Sequence, residues 1–191
     1  MPTLAHIRGV IAGAAILTFF GSFWCLIALA FWTARPVWSI PAGIVATVLL
    51  LVLCTARLIV ASKKVPNVHD PAAAIKGKRA GKLFGIIFGI EGALIAICST
   101  LLASHGLGFW IPIAVAIIVG AHFLPLAYVF EVPLYYWTGT LCVLGVLGCL
   151  LIHDFGTRVL CAGLVMAAVL WLSALLLLLQ TRTTQPARVY S

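Results

Sequence analysis

Apolar residues run along this chain in long blocks, and polar residues gather in the short gaps between them. Six blocks can be marked off, at about 9–33, 40–61, 82–103, 109–130, 134–152 and 158–179. Each is close to the ~20 residues that a helix needs to cross the hydrocarbon of a bilayer. Strands of a membrane barrel would be shorter and would alternate apolar with polar positions. No such alternation is present. The first block is longer than the ~7–15 apolar residues of a cleavable signal, so it is read as a retained helix. The pattern predicts an all-α integral membrane protein, with one domain of six transmembrane helices over 1–180. A polar tail follows at 181–191 and is read as disordered.

The gaps carry the signals that end helices. Arg35 and Pro36 close the first block, and Trp32 and Trp38 bracket the turn as interfacial anchors. In the gap at 62–81, Asp70 and Pro71 read as the N-cap and first residue of a helix. That helix either lies along the membrane surface or feeds straight into the third block. Gly77 and Gly81 weaken it enough to permit a bend. SHGLGFW makes a tight turn before the fourth block, and Glu131–Val132–Pro133 ends that block. Tyr135, Tyr136 and Trp137 then open the fifth as an aromatic belt.

Composition agrees with the pattern and adds an orientation. The 191 residues are 64% hydrophobic and 8% charged, too few charges to cover a water-soluble globule. The formal net charge is +8, and six of the twelve basic residues (Lys63, Lys64, Lys76, Lys78, Arg79, Lys82) lie in or beside the 62–81 gap. No aromatic residues are interleaved with them, as a single-strand nucleic-acid surface would require. No nucleic-acid partner is expected. Basic residues collect in cytoplasmic loops. Arg8, this cluster, Arg182 and Arg188 fall on one side of a six-span arrangement, and Arg35 and Arg158 on the other. Both termini are therefore expected in the cytoplasm, and the membrane is read as a bacterial inner (plasma) membrane. Beyond the bilayer itself, the 63–82 cluster is expected to touch anionic lipid headgroups.

Small residues mark helix-packing faces. Gly81, Gly85, Gly89 and Gly92 fall on one stripe of the third helix, where a neighbouring helix could approach closely. Gly145 lies in a second groove with Thr138, Cys142 and Cys149. Such faces also suit a homo-oligomer. The six cysteines form no CxxC pair and are read as small hydrophobes. A Cys149–Cys161 disulfide is the one pairing their positions suggest.

Ionisable groups in the middle of apolar spans are costly and rare, which makes them functional candidates. Glu91 lies nine residues beyond Lys82, about 13 Å along a helix, and His122 lies nine before Glu131, again about 13 Å. Both fall near the middle of hydrocarbon about 30 Å thick. Trp171, nine residues before Gln180, falls at that level too. Pro125 frees the carbonyl of Ala121 beside the imidazole. Glu91, His122, Pro125 and Trp171 are thus the candidate substrate- or proton-binding set, with one proton held between Glu91 and His122. The bland alternative is a hydrogen bond that locks the bundle, which contributes about 0.6 kcal/mol on average. Arg57 either snorkels to the headgroups or pairs with Glu91 or Glu131. His105, His153 and Asp154 are weak metal candidates at the other end. No cofactor or resident metal is expected, and no nucleophile–base motif points to an enzyme.

GIEG at 89–92, GAHFLPLA at 120–127 and YYWTG at 135–139 together resemble a family of small bacterial multispanning proteins that share an HFLPLA-type motif. The likeness covers about 81–139 and implies the multispan fold without a particular activity. Length and helix number are also similar to those of the substrate-binding subunits of vitamin transporters, although the first helix lacks a motif of theirs. The function expected is proton-linked transport of a small polar or cationic solute through the Glu91–His122 site. The alternative is a non-transporting accessory or regulatory protein that oligomerises through its glycine-rich faces.

Overall fold

In the computed structural model, residues 4–32, 36–64 and 71–183 are described. They form six α-helices: α1 (Leu4–Phe31), α2 (Ser39–Lys64), α3 (Pro71–Ser104), α4 (Ile111–Phe130), α5 (Leu134–Cys149) and α6 (Phe155–Thr183). A single 3-10 turn, Gly108–Trp110, leads into α4, and no strand occurs among the described residues. Arg35, Asp70, Arg188 and the tail from 184 onward lie outside the described residues, and with them the expected N-cap of α3. Helices α1, α2, α3, α4 and α6 are each long and apolar enough to cross a membrane. The 16 residues of α5 rise only about 24 Å, less than a typical hydrocarbon thickness of about 30 Å.

Helix α3 resolves the choice left open by the sequence at its start. It runs unbroken from Pro71 to Ser104, so the short polar helix feeds straight into the apolar span. Gly77 and Gly81 do not bend it away. A helix-interior glycine costs about 1 kcal/mol, too little to interrupt a helix of 34 residues. Its far end closes as a Schellman motif. Gly106 takes a left-handed φ of 71°, Leu107 N–H donates to Leu102 O at 2.7 Å and Gly106 N–H to Ala103 O at 3.1 Å. Helix α4 ends with Glu131 in the left-handed region at φ 54°, followed by Pro133 as the N-cap of α5.

The helices pack as a row in the order α2, α1, α6, α5, α4, α3, with lesser contacts of α6 to α4 and α2. The most extensive contact is between α1 and α6. It is close because Gly163 has no side chain: a Cβ there would sit 2.9 Å from the Cβ of Ala28 and 3.0 Å from Trp24 O. Where α5 meets α4, a Cβ on Gly139 would come within 2.9 Å of Gly120 O. Gly145 faces Val165 of α6 at 2.5 Å on the same measure. Between apolar helices in apolar surroundings, such van der Waals contact drives association.

The stripe on α3 behaves differently. At Gly81, Gly85, Gly89 and Gly92 a Cβ would meet nothing within 4 Å. Among the described residues no helix packs on the seam expected there. The larger side chains of the opposite face make the contact instead: Phe84, Ile87 and Ile95 pack on the core, and Phe84 meets Phe130 of α4 at 6.0 Å between ring centroids.

Polar groups tie the row together. Thr138 of α5 and Ser173 of α6 share a 2.7 Å hydrogen bond, as do Ser22 of α1 and Thr47 of α2. At one end, Arg158 donates from Nε to Ile152 O at 2.8 Å and lies 4.7 Å over the ring of Trp110. This joins the α5–α6 turn to the turn before α4.

Candidate functional site

Residues 84, 87, 91, 95 and 98 follow the three- and four-residue spacing of one helix face, and that face of α3 turns toward α4. A short turn makes α3 and α4 antiparallel, so residues equally far from it meet. Glu91 lies about 20 Å along α3 from Ser104, and His122 about 17 Å along α4 from Ile111. Their side chains are 6% and 13% exposed, and Oε1 of Glu91 stands 3.3 Å from Nδ1 of His122.

The same Nδ1 also contacts the carbonyl of Val119, one turn back on α4. A carbonyl oxygen can only accept, so Nδ1 carries a hydrogen and donates it to Val119, with Oε1 of Glu91 alongside. The neutral imidazole then has its lone pair on Nε2, which has no hydrogen-bond partner among the described residues. Phe123 lies against the ring, 4.2 Å between centroids, and limits its rotation. Glu91 Oε2 is buried and also without a hydrogen-bond partner.

This arrangement offers two places for one further proton, Oε2 of Glu91 and Nε2 of His122. With the proton on either, the pair as a whole is neutral: a carboxylic acid beside an imidazole, or a carboxylate beside an imidazolium. An apolar surrounding penalises an isolated charge heavily and a neutral pair far less.

The other expected members of the site are placed elsewhere. Pro125 lies inside α4, three residues after His122, and is exposed. Trp171 faces α1, not the pair. Its indole N–H donates to Thr18 O at 3.3 Å, because α6 stands beside α1 and two helices away from α3. Arg57 does not pair with Glu91 or Glu131. It donates to Leu178 O at 3.3 Å, since α2 and α3 occupy opposite ends of the row. Glu131 instead pairs with Lys76 at 2.8 Å, with both side chains about two-thirds exposed. An exposed pair of this kind contributes about 0–1 kcal/mol.

Among the described residues no three His, Cys, Asp or Glu side chains gather to hold a metal. His105 and His153 are exposed. The Asp154 carboxylate accepts from Thr157 N–H at 2.7 Å and caps α6. That bond holds its pKa below the ordinary carboxylate range. Each of the six cysteines is a free thiol, Cys149 and Cys161 included.

Two features of this region had no mark in the sequence. The carbonyl of Val119, which sets the imidazole tautomer, is a backbone group carried by any residue type. The second is a cavity of about 490 Å³ where α3, the end of α4 and the start of α5 meet. Arg79, Tyr128 and Tyr136 line it, and Glu91 and His122 do not.

The fold and site together define a helical protein with five helices long and apolar enough to cross a membrane and a buried carboxyl–imidazole pair between two of its helices. The chain matches no protein-family model, no curated protein and no solved structure.

Proposed function

We propose that this chain is a proton-linked transporter of a small polar or cationic solute, with Glu91 and His122 as its proton-carrying pair. In this reading it crosses a bacterial inner membrane six times, with both termini in the cytoplasm. The observation that carries the reading is Glu91 Oε2, a buried carboxyl oxygen left without a partner. Buried polar groups that serve only packing are normally satisfied, as Thr138 and Ser173 satisfy one another here. A carboxyl with one oxygen open keeps a place for a proton or a cation. Reconstituted protein should then carry protons across a vesicle membrane, read by a pH-sensitive dye inside. Glu91→Gln should abolish that flux while leaving yield and helix content unchanged. Wild-type flux from the Gln variant contradicts the assignment. For the topology, single cysteines placed at Lys78 and His105 should label from opposite sides of the membrane.

A second reading has its own support. The α3 glycine stripe is open along four positions, which favours an accessory protein that meets a second copy of itself there. Cysteine cross-linking between copies at Gly85 and Gly89, lost on substitution of Gly92 by leucine, would favour this reading over transport.

A further inference from the structure

The cavity at the end of the α3–α4 hairpin has a chemistry separate from that of the buried pair. Its lining includes two cations, Lys76 and Arg79, and one carboxylate, Glu131. Two positive charges and one negative leave one net positive charge. Lys76 is already engaged, 2.8 Å from Glu131. Arg79 has no acidic partner among the described residues, and the hydroxyls of Tyr128 and Tyr136 make no hydrogen bond there. An unneutralised guanidinium that shares a cavity with two free hydroxyl donors suits a phosphate carrying a single negative charge.

The surroundings of this group select the source of the phosphate. Ala80, Leu83, Ala127, Val129 and Pro133 form the apolar part of the lining. Beyond Leu83, α3 presents exposed Ile86, Phe88 and Ile90 along the start of its apolar span. A ligand with its phosphate at Arg79 and hydrocarbon running along Leu83 would match both ends of the cavity. We infer that this cavity binds the phosphodiester headgroup of an anionic phospholipid, with Arg79 as the principal contact and Tyr128 and Tyr136 as hydrogen-bond donors. Lys76 stays paired with Glu131 and forms the rim. The bound lipid bridges α3, α4 and α5. It thereby fastens the start of α3, the helix that carries Glu91, to the end of α4 and the start of α5.

Native mass spectrometry of the purified full chain in neutral detergent, titrated with phosphatidylglycerol or phosphatidylcholine, tests this. The wild type should retain one phosphatidylglycerol in preference to phosphatidylcholine, and its melting temperature should rise only with the former. Arg79→Gln should weaken retention about fivefold, the loss expected for one basic residue at a membrane surface. Lys78→Gln is the control, since Lys78 shares the helix but does not line the cavity; it should bind as the wild type does. If Arg79→Gln lowers yield, the Tyr128→Phe/Tyr136→Phe double variant supplies the same test by weakening retention. Equal losses from Lys78→Gln and Arg79→Gln would mean diffuse attraction to a charged surface and would overturn the site. Inorganic phosphate reproducing the full melting shift would overturn the lipid assignment.

Discussion

The α1–α6 pair and the α3–α4 hairpin are built from the same kinds of residue and do opposite things. Half of the apolar span of α6 is buried within the protein, against 6% of that of α3. In the first pair a glycine sits where a neighbour's backbone passes, and the polar groups that cross the contact have found partners. In the second, four glycines face open space and a buried carboxyl keeps one oxygen unpaired. The difference separates a closed contact from one that leaves a buried polar atom open. Closely packed helices with closed hydrogen bonds hold the chain together. A helix anchored chiefly along one side can carry an ionisable group whose partner changes.

The sharpest way to break this comparison is to fill one glycine on each side. Gly163→Val places a branched side chain against Ala28 and Trp24 O, and overpacking of a close contact costs about 1–3 kcal/mol or more. Its thermal unfolding in detergent should shift strongly downward, with loss of yield. Gly85→Val meets no neighbour in the chain and should stay within about 0.5 kcal/mol of the wild type. Comparable losses from the two would erase the distinction.

His122→Ala should have the next largest effect. It strips the partner from Glu91 Oε1, and leaving a buried polar group unpaired costs about 1–3 kcal/mol. Arg57→Leu comes below it, because only a 3.3 Å bond to one carbonyl is lost, in the range of about 0.6 kcal/mol for polar contacts between membrane helices. Melting temperatures of the two variants in the same detergent give the order directly.

The smallest effect concerns the turn before α6. Asp154 has its pKa lowered in the folded protein, so its contribution to stability is present above the ordinary carboxylate range. It is lost only as the pH falls through the lowered value. Asp154→Ala should therefore differ from the wild type at neutral pH and converge with it in strong acid, read as melting temperature against pH.

Much of this was legible in the sequence, for reasons that differ from element to element. The long apolar blocks gave the number of helices, and their bounds closely where turn chemistry at Gly106 and at Glu131–Pro133 ends them sharply, while α1, α3 and α6 run several residues further into polar sequence. The meeting of Glu91 and His122 followed from a depth argument, since a short turn forces equal distances to coincide. Depth does not tell which helices are neighbours, and this is why Trp171 was expected beside the pair and why Glu91 or Glu131 could be offered as a partner for Arg57. Helix α2, with Arg57, lies at the far end of the row from α3, and α6, with Trp171, is separated from α3 by α5 and α4. The glycine stripe has no neighbour among the described residues for a related reason. Small residues permit close approach, but the bulk of Phe84, Ile87 and Ile95 on the opposite face decided which side of α3 meets α4.

Proton-linked transport requires that the Glu91–His122 pair hold an exchangeable proton. Infrared difference spectroscopy of the purified protein, taken between two pH values, reads that proton directly. A protonated-carboxyl band should appear and disappear with pH, shift in His122→Ala, and be missing in Glu91→Gln. An unchanged band in Glu91→Gln, or no pH-dependent carboxyl band in the wild type, would contradict the claim and leave the pair as a packing contact.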